Sequence, residues 1–108
     1  MIRHVVFFRW KESFTDEVRA QWIEGLERLQ GGIPGLLSLT HGADALGTAR
    51  SWDHVIIADF ADREALDVYN THPLHEAIKV HSLPNVADLA YVDIDLPPTT
   101  SPLEDLHA

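Results

Sequence analysis

The chain opens on an apolar run, residues 2–10 (IRHVVFFRW), made of β-branched and aromatic side chains with two Arg and one His and without Ala, Glu or Leu. That composition suits a pleated, half-buried backbone and predicts a strand. After KESFT the period lengthens. Thr15 precedes Asp16 and Glu17 as at a helix N-terminus, and Val18, Trp22, Leu26 and Leu29 recur at spacings of four and three. An amphipathic helix follows, closing near Gly31 and Gly32. Ile33-Pro34-Gly35 reads as a turn, residues 36–41 as a second strand ending at Gly42, and residues 43–50 as a polar loop. Residues 52–60 (WDHVIIADF) predict a third strand, and Asp62 caps a helix over residues 63–70. Pro73 fits the first turn of a helix but not its interior, so HPLHEAIKVH starts a fresh helix with His72 as its cap. Residues 86–96 supply a fourth strand, and residues 97–108, rich in Pro, Ser and Thr, a flexible C-terminal tail.

The order βαββαβ is that of an α+β, ferredoxin-like domain over residues 1–96, an antiparallel sheet with helices on one face. Alternation along the strands adds a second message. Val6 and Phe8 oppose Val5 and Phe7; Ile56 and Phe60 oppose Val55 and Ile57; Leu89 and Tyr91 oppose Ala90, Val92 and Ile94. Both faces are apolar, yet the helices cover only one. An uncovered apolar face of this size predicts a homodimer formed sheet against sheet.

Composition narrows the function. The 108 residues hold 8 Lys plus Arg against 17 Asp plus Glu, a formal charge of −9, and no Cys. A chain of this length buries roughly two-thirds of its unfolded surface, enough for one core without disulfides or structural zinc. With no basic run to displace counterions, nucleic acid is not an expected partner. No stretch of about 18 apolar residues occurs, so no membrane segment is expected and the cytoplasm is the default compartment.

Seven His remain to be explained. His4 shares a strand face with Val6 and Phe8, and His54 shares one with Ile56, Ala58 and Phe60; in the ferredoxin-like order both lie on one side of the sheet. Tyr69, His72 and His75 gather where Pro73 interrupts the second helical stretch, the easiest place for packing to leave a cavity. A neutral imidazole removes a proton near pH 7 and a phenol donates to a carbonyl oxygen where charge develops. Each also has a structural reading: His72 as a cap, His4 and His54 as satisfied core histidines. His72 and His75, at i and i+3, could face one metal ion, but no carboxylate or thiolate joins them at a motif spacing, and no metal is assigned.

Taken together, IRHVVFFRWK, GGIPGL, SWDHVIIADF and above all LDVYNTHPLHEAI resemble the stress-responsive A/B barrel domain family, over about residues 2–96. The resemblance implies a ferredoxin-like subunit paired through its sheet into a dimeric α+β barrel. One plant enzyme of that family closes a linear poly-β-ketide by aldol condensation. By that likeness His75 is the general base, Tyr69 holds and polarises the substrate carbonyl, and His4, His54 and His72 stand at the pocket. Val6, Phe8, Trp22, Ile23, Leu26 and Ile56 complete its apolar lining, Trp22 being bulkier than the family's usual residue there. No cofactor is implied. Three functional readings stay open: a barrel that binds a small apolar or carbonyl-bearing ligand, a polyketide cyclase or isomerase, and a monooxygenase of the wider dimeric barrel group, working without a cofactor or with haem.

Overall fold

The computed structural model describes residues 1–97. Its elements follow the predicted order: β1 (Ile2–Trp10), α1 (Asp16–Leu29), β2 (Leu36–Ala43), β3 (His54–Phe60), α2 (Arg63–Thr71), α3 (Pro73–Ser82) and β4 (Val86–Asp95), with a 3-10 turn over Leu83–Asn85 before the last strand. The strands form one antiparallel sheet in the order β2-β3-β1-β4, which is the ferredoxin-like arrangement. Except for Pro97, the tail expected to be flexible lies outside the described residues.

Local chemistry sets the boundaries. The Thr15 hydroxyl accepts from the Val18 N–H at 3.3 Å and the Asp62 carboxylate from the Ala65 N–H at 2.8 Å, satisfying donors that a helix start leaves free. At the kink the His72 Nδ1 accepts from the Leu74 N–H at 3.1 Å, and Pro73 fills the first helical position. The third strand begins two residues later than the pattern suggests, and just before it the Asp53 carboxylate accepts from the Trp10 N–H at 2.8 Å. Gly35, at φ +79°, turns the chain into β2 so tightly that a Cβ there would stand 2.5 Å from the Ala65 Cβ.

The register confirms the two faces. Val6 pairs with Ile56 and Tyr91, and Phe8 with His54 and Leu89, which sets all of them on the helix side. There Trp22, Leu26 and Leu29 of α1 are fully buried against the sheet, with Phe8, Ile56, Ala58 and Phe60 around them. Gly25 lets α1 approach α3, since a Cβ would come 2.5 Å from the Ile78 Cγ2. On the other face Val5, Phe7, Val55 and Ile57 are half-buried, while Val92 and Ile94 are exposed. At one end of that face Arg3 and Asp59 form a buried two-pronged ion pair, at 2.9 and 3.1 Å, joined by the Ser38 hydroxyl. Among the described residues no helix is long and apolar enough to cross a membrane.

Candidate functional site

Helix α3 crosses the β1–β4 half of the sheet at a distance, and a cavity of about 150 Å³ remains beneath it. His4, Val6 and Phe8 enter from β1, Ile56 from β3, Leu89 and Tyr91 from β4, Tyr69 from α2, and His75, Ile78 and Lys79 from α3. The kink brings two of these together. Because Pro73 restarts the helix, the first turn of α3 folds back on the last turn of α2, and the His75 ring stacks on Tyr69 with centroids 4.0 Å apart and planes 21° from parallel. Burial raises the Tyr69 phenol above its ordinary value, so it remains an O–H donor. The same burial, reinforced by the charge of Lys79, lowers His75 from 6.5 to about 4, with the backbone at Asn70 and Tyr69 and the Glu76 carboxylate pulling the other way. His75 is therefore neutral near pH 7, and its buried Nδ1 has no hydrogen-bond partner among the described residues.

On the sheet side, His4 stands edge-on to Tyr69 at 6.2 Å between centroids. Its Nδ1 lies 2.5 Å from an Asp93 carboxylate oxygen. An ionised carboxylate only accepts, so Nδ1 is the donor in this bond. The cavity thus has a neutral imidazole, a protonated phenol and a carboxylate-anchored imidazole on its walls, among apolar side chains. Such groups are able to donate a hydrogen bond and to accept a proton within an apolar enclosure.

The match to the model of the stress-responsive A/B barrel domain spans residues 2–96, nearly every described residue. The chain belongs to that family. Among solved structures, this A/B barrel protein is similar to a dimeric ferredoxin-like protein of unknown function from Thermobifida fusca, at 33% identity and TM-score 0.80, covering 88% of this chain and 90% of that one. It shares its fold with a dimeric protein of unknown function from Bacteroides fragilis (21% identity, TM-score 0.77, 88% and 95% covered). It shares it also with the hydroxynitrile lyase of Passiflora edulis (20% identity, TM-score 0.76, 93% and 96% covered). None of the curated protein sequences matches the chain.

Several residues expected at the pocket of the A/B barrel protein are elsewhere. His54 does face the helices, but the antiparallel register sets it across from Phe8, whereas His4 lies across from Ala58. Four residues of strand separate the two positions, roughly 13 Å. His54 instead lies 4% exposed in a second cluster, its Nε2 3.0 Å from the His41 Nδ1 and its ring edge-on to Trp22 at 4.9 Å. Burial first, then the neighbouring His41 and Arg19, lower it from 6.5 to about 4, and burial lowers His41 as well. Trp22 and Leu26 do not line the cavity; they fill the core, with Trp22 packed on Phe8, Trp10 and Phe14. Ile23 packs at the edge of the same core, and His72 is occupied as the α3 cap.

A larger open groove, about 390 Å³, runs beside the loop between β2 and β3, walled by Phe7, Trp52, Val55 and His54 with Arg50 at its side. Of the expected site residues it holds His54 alone, and it opens partly onto the bare sheet face, whereas the smaller cavity gathers His4, Val6, Phe8, Ile56, Tyr69 and His75. Asp93 does not line this cavity but anchors His4 from behind, and the sequence reading missed it; it stands two residues beyond Tyr91 on the same face of β4. The period-2 signal that marked Leu89 and Tyr91 extends to it. No group of three or more His, Cys, Asp or Glu among the described residues is arranged to hold a metal ion.

Proposed function

We propose that this A/B barrel protein binds a small carbonyl compound in the cavity under α3 and transfers a proton on it, the step common to aldol cyclases and isomerases. The convergence of Tyr69, His75 and the Asp93-anchored His4 on one mostly apolar cavity carries this reading. Tyr69 donates to the carbonyl oxygen, which stabilises the enolate that forms when the neighbouring carbon loses its proton. Neutral His75 takes that proton. His4, held in place by its Nδ1 bond to the Asp93 carboxylate, is a second imidazole on the same cavity and offers a second route for the proton. The bare apolar face of Val5, Phe7, Val55 and Ile57, together with the dimeric state of the Thermobifida and Bacteroides relatives, supports a homodimer formed through the sheet.

Exchange of the α-protons of a short methyl ketone in D₂O, followed by proton NMR, tests the reading without requiring the natural substrate. The protein accelerates exchange above buffer, and Tyr69→Phe lowers that acceleration by about 10²-fold to 10³-fold, as for loss of one donor to a developing oxyanion. Exchange no faster than in buffer, or equal in wild type and Tyr69→Phe, removes the reading.

A further inference from the structure

The groove of about 390 Å³ beside the β2–β3 loop shares no lining residue with the cavity under α3, and its volume is that of a small-molecule site. The loop that walls it holds its own shape. Asp44 accepts from the Gly47 N–H, Ser51 donates its N–H to the Thr48 carbonyl at 3.1 Å, and Asp44 donates its N–H to the Asp53 carbonyl at 2.9 Å. Gly42 keeps the space clear. It pairs with Val55, which pairs with Phe7, so a Cβ at Gly42 would stand on their face of the sheet, where it meets nothing within 4 Å. One wall is aromatic, with the half-buried Trp52 ring 6.0 Å from that of Phe7. The Arg9 guanidinium lies 4.3 Å over the indole and outside the groove lining, so it fixes this ring without filling the space. Charge is the second feature. In a chain of 17 acidic and 8 basic side chains, Arg3, Arg28, Arg63 and Lys79 are held in ion pairs, but Arg50 on the groove wall is in none among the described residues.

We propose that this groove is a second binding site, separate from the cavity under α3, and that it takes a small planar aromatic carboxylate. The ring lies against Trp52 and Phe7, and the carboxylate meets the Arg50 guanidinium, whose planar fork matches two oxygens at once. An aromatic ring gains more here than an aliphatic one of equal area, because it meets indole and phenyl in offset or edge geometry. The single negative charge is set by Asp44, the carboxylate among the lining residues, which repels a dianion such as a phosphate ester more than a monoanion. Phe7 and Val55 also belong to the face assigned to pairing, so in the dimer the second copy stands at the open side of the groove.

The probe is 2-naphthoate, titrated into the full chain by calorimetry while the Trp52 indole N–H is followed by NMR. It binds and shifts that signal. The uncharged 2-naphthalenemethanol binds about tenfold more weakly, and the saturated decahydro-2-naphthoate about twofold to tenfold more weakly. Arg50→Gln costs naphthoate about tenfold and the alcohol nothing, and leaves α-proton exchange of the methyl ketone unchanged. Gly42→Val, a side chain suited to a strand and free of backbone contacts, fills the groove and abolishes binding, with folding and mass checked by circular dichroism and light scattering. Absence of binding, equal affinity for naphthoate and alcohol, or full affinity in Arg50→Gln overturns the assignment. So do shifts at Tyr69 and His75 in place of Trp52, which put the probe under α3. A fall in dimer mass as naphthoate is added also overturns it, because the groove is then a seat for the second copy.

Discussion

The imidazole of His75 lies stacked on the phenol of Tyr69, centroids 4.0 Å apart, and one burial pushes the two groups in opposite directions. The phenol is harder to ionise and the imidazole harder to protonate. Both consequences favour the uncharged forms, a donor beside an acceptor, which is the state proton transfer to and from a carbonyl compound requires.

This relationship gives the exchange reaction a pH signature. Only neutral imidazole acts as a base, and His75 is lowered to about 4, so a rate carried by His75 rises with pH through about 4 and is level around neutrality. His75→Ala then removes most of the rate at every pH. If His75→Ala keeps the rate and His4→Ala or Asp93→Asn loses it, the base is the His4–Asp93 pair, and NMR exchange rates across pH 3–8 distinguish the two assignments.

Stability has its own pH dependence. His54 and His75 are both lowered from 6.5 to about 4, so between those values the unfolded chain binds protons that the folded chain refuses. Unfolding free energy therefore increases with pH over this window: the full value is present above about 6.5 and is lost as the pH falls toward about 4. Urea midpoints measured from pH 7 to pH 4 show the decline. A midpoint that holds constant over this range contradicts the buried neutral state of both rings.

Replacing His72 by Ala removes the side chain that accepts from the Leu74 N–H. Loss of a helix cap costs about 1 kcal/mol, so denaturation moves to lower urea. The exchange rate changes far less than in His75→Ala, because His72 does not line the cavity. A dead but fully stable His72→Ala protein reverses the two roles.

The sheet face offers the last test. Val55→Asp with Ile57→Asp sets two carboxylates into a surface that pairing makes dry, and the expected product is a monomer or an aggregate. Light scattering of the wild-type protein at low micromolar concentration should give the dimer mass. A stably folded wild-type monomer there contradicts the pairing.

Much of the fold was legible in the sequence because its signals are local. The change from strand to helix period after Trp10, the caps at Thr15, Asp62 and His72, and the restart at Pro73 each depend on neighbours within four residues, and all appear at or near their expected positions. Alternation assigned the two sheet faces for the same reason. Register is different. It is set by how separate strands slide past one another, so spacing along the chain did not reveal that His54 lies across from Phe8 and joins His41, or that Asp93 lies across from His4. The depth at which α1 inserts likewise made Trp22 a core residue and left the cavity to α3, whose distance from β1 and β4 is a sum over the packing of all three helices. Spacing along each strand is enough to say which side chains face the helices; which of them meet depends on strand offset and helix depth, and no short stretch of chain encodes those.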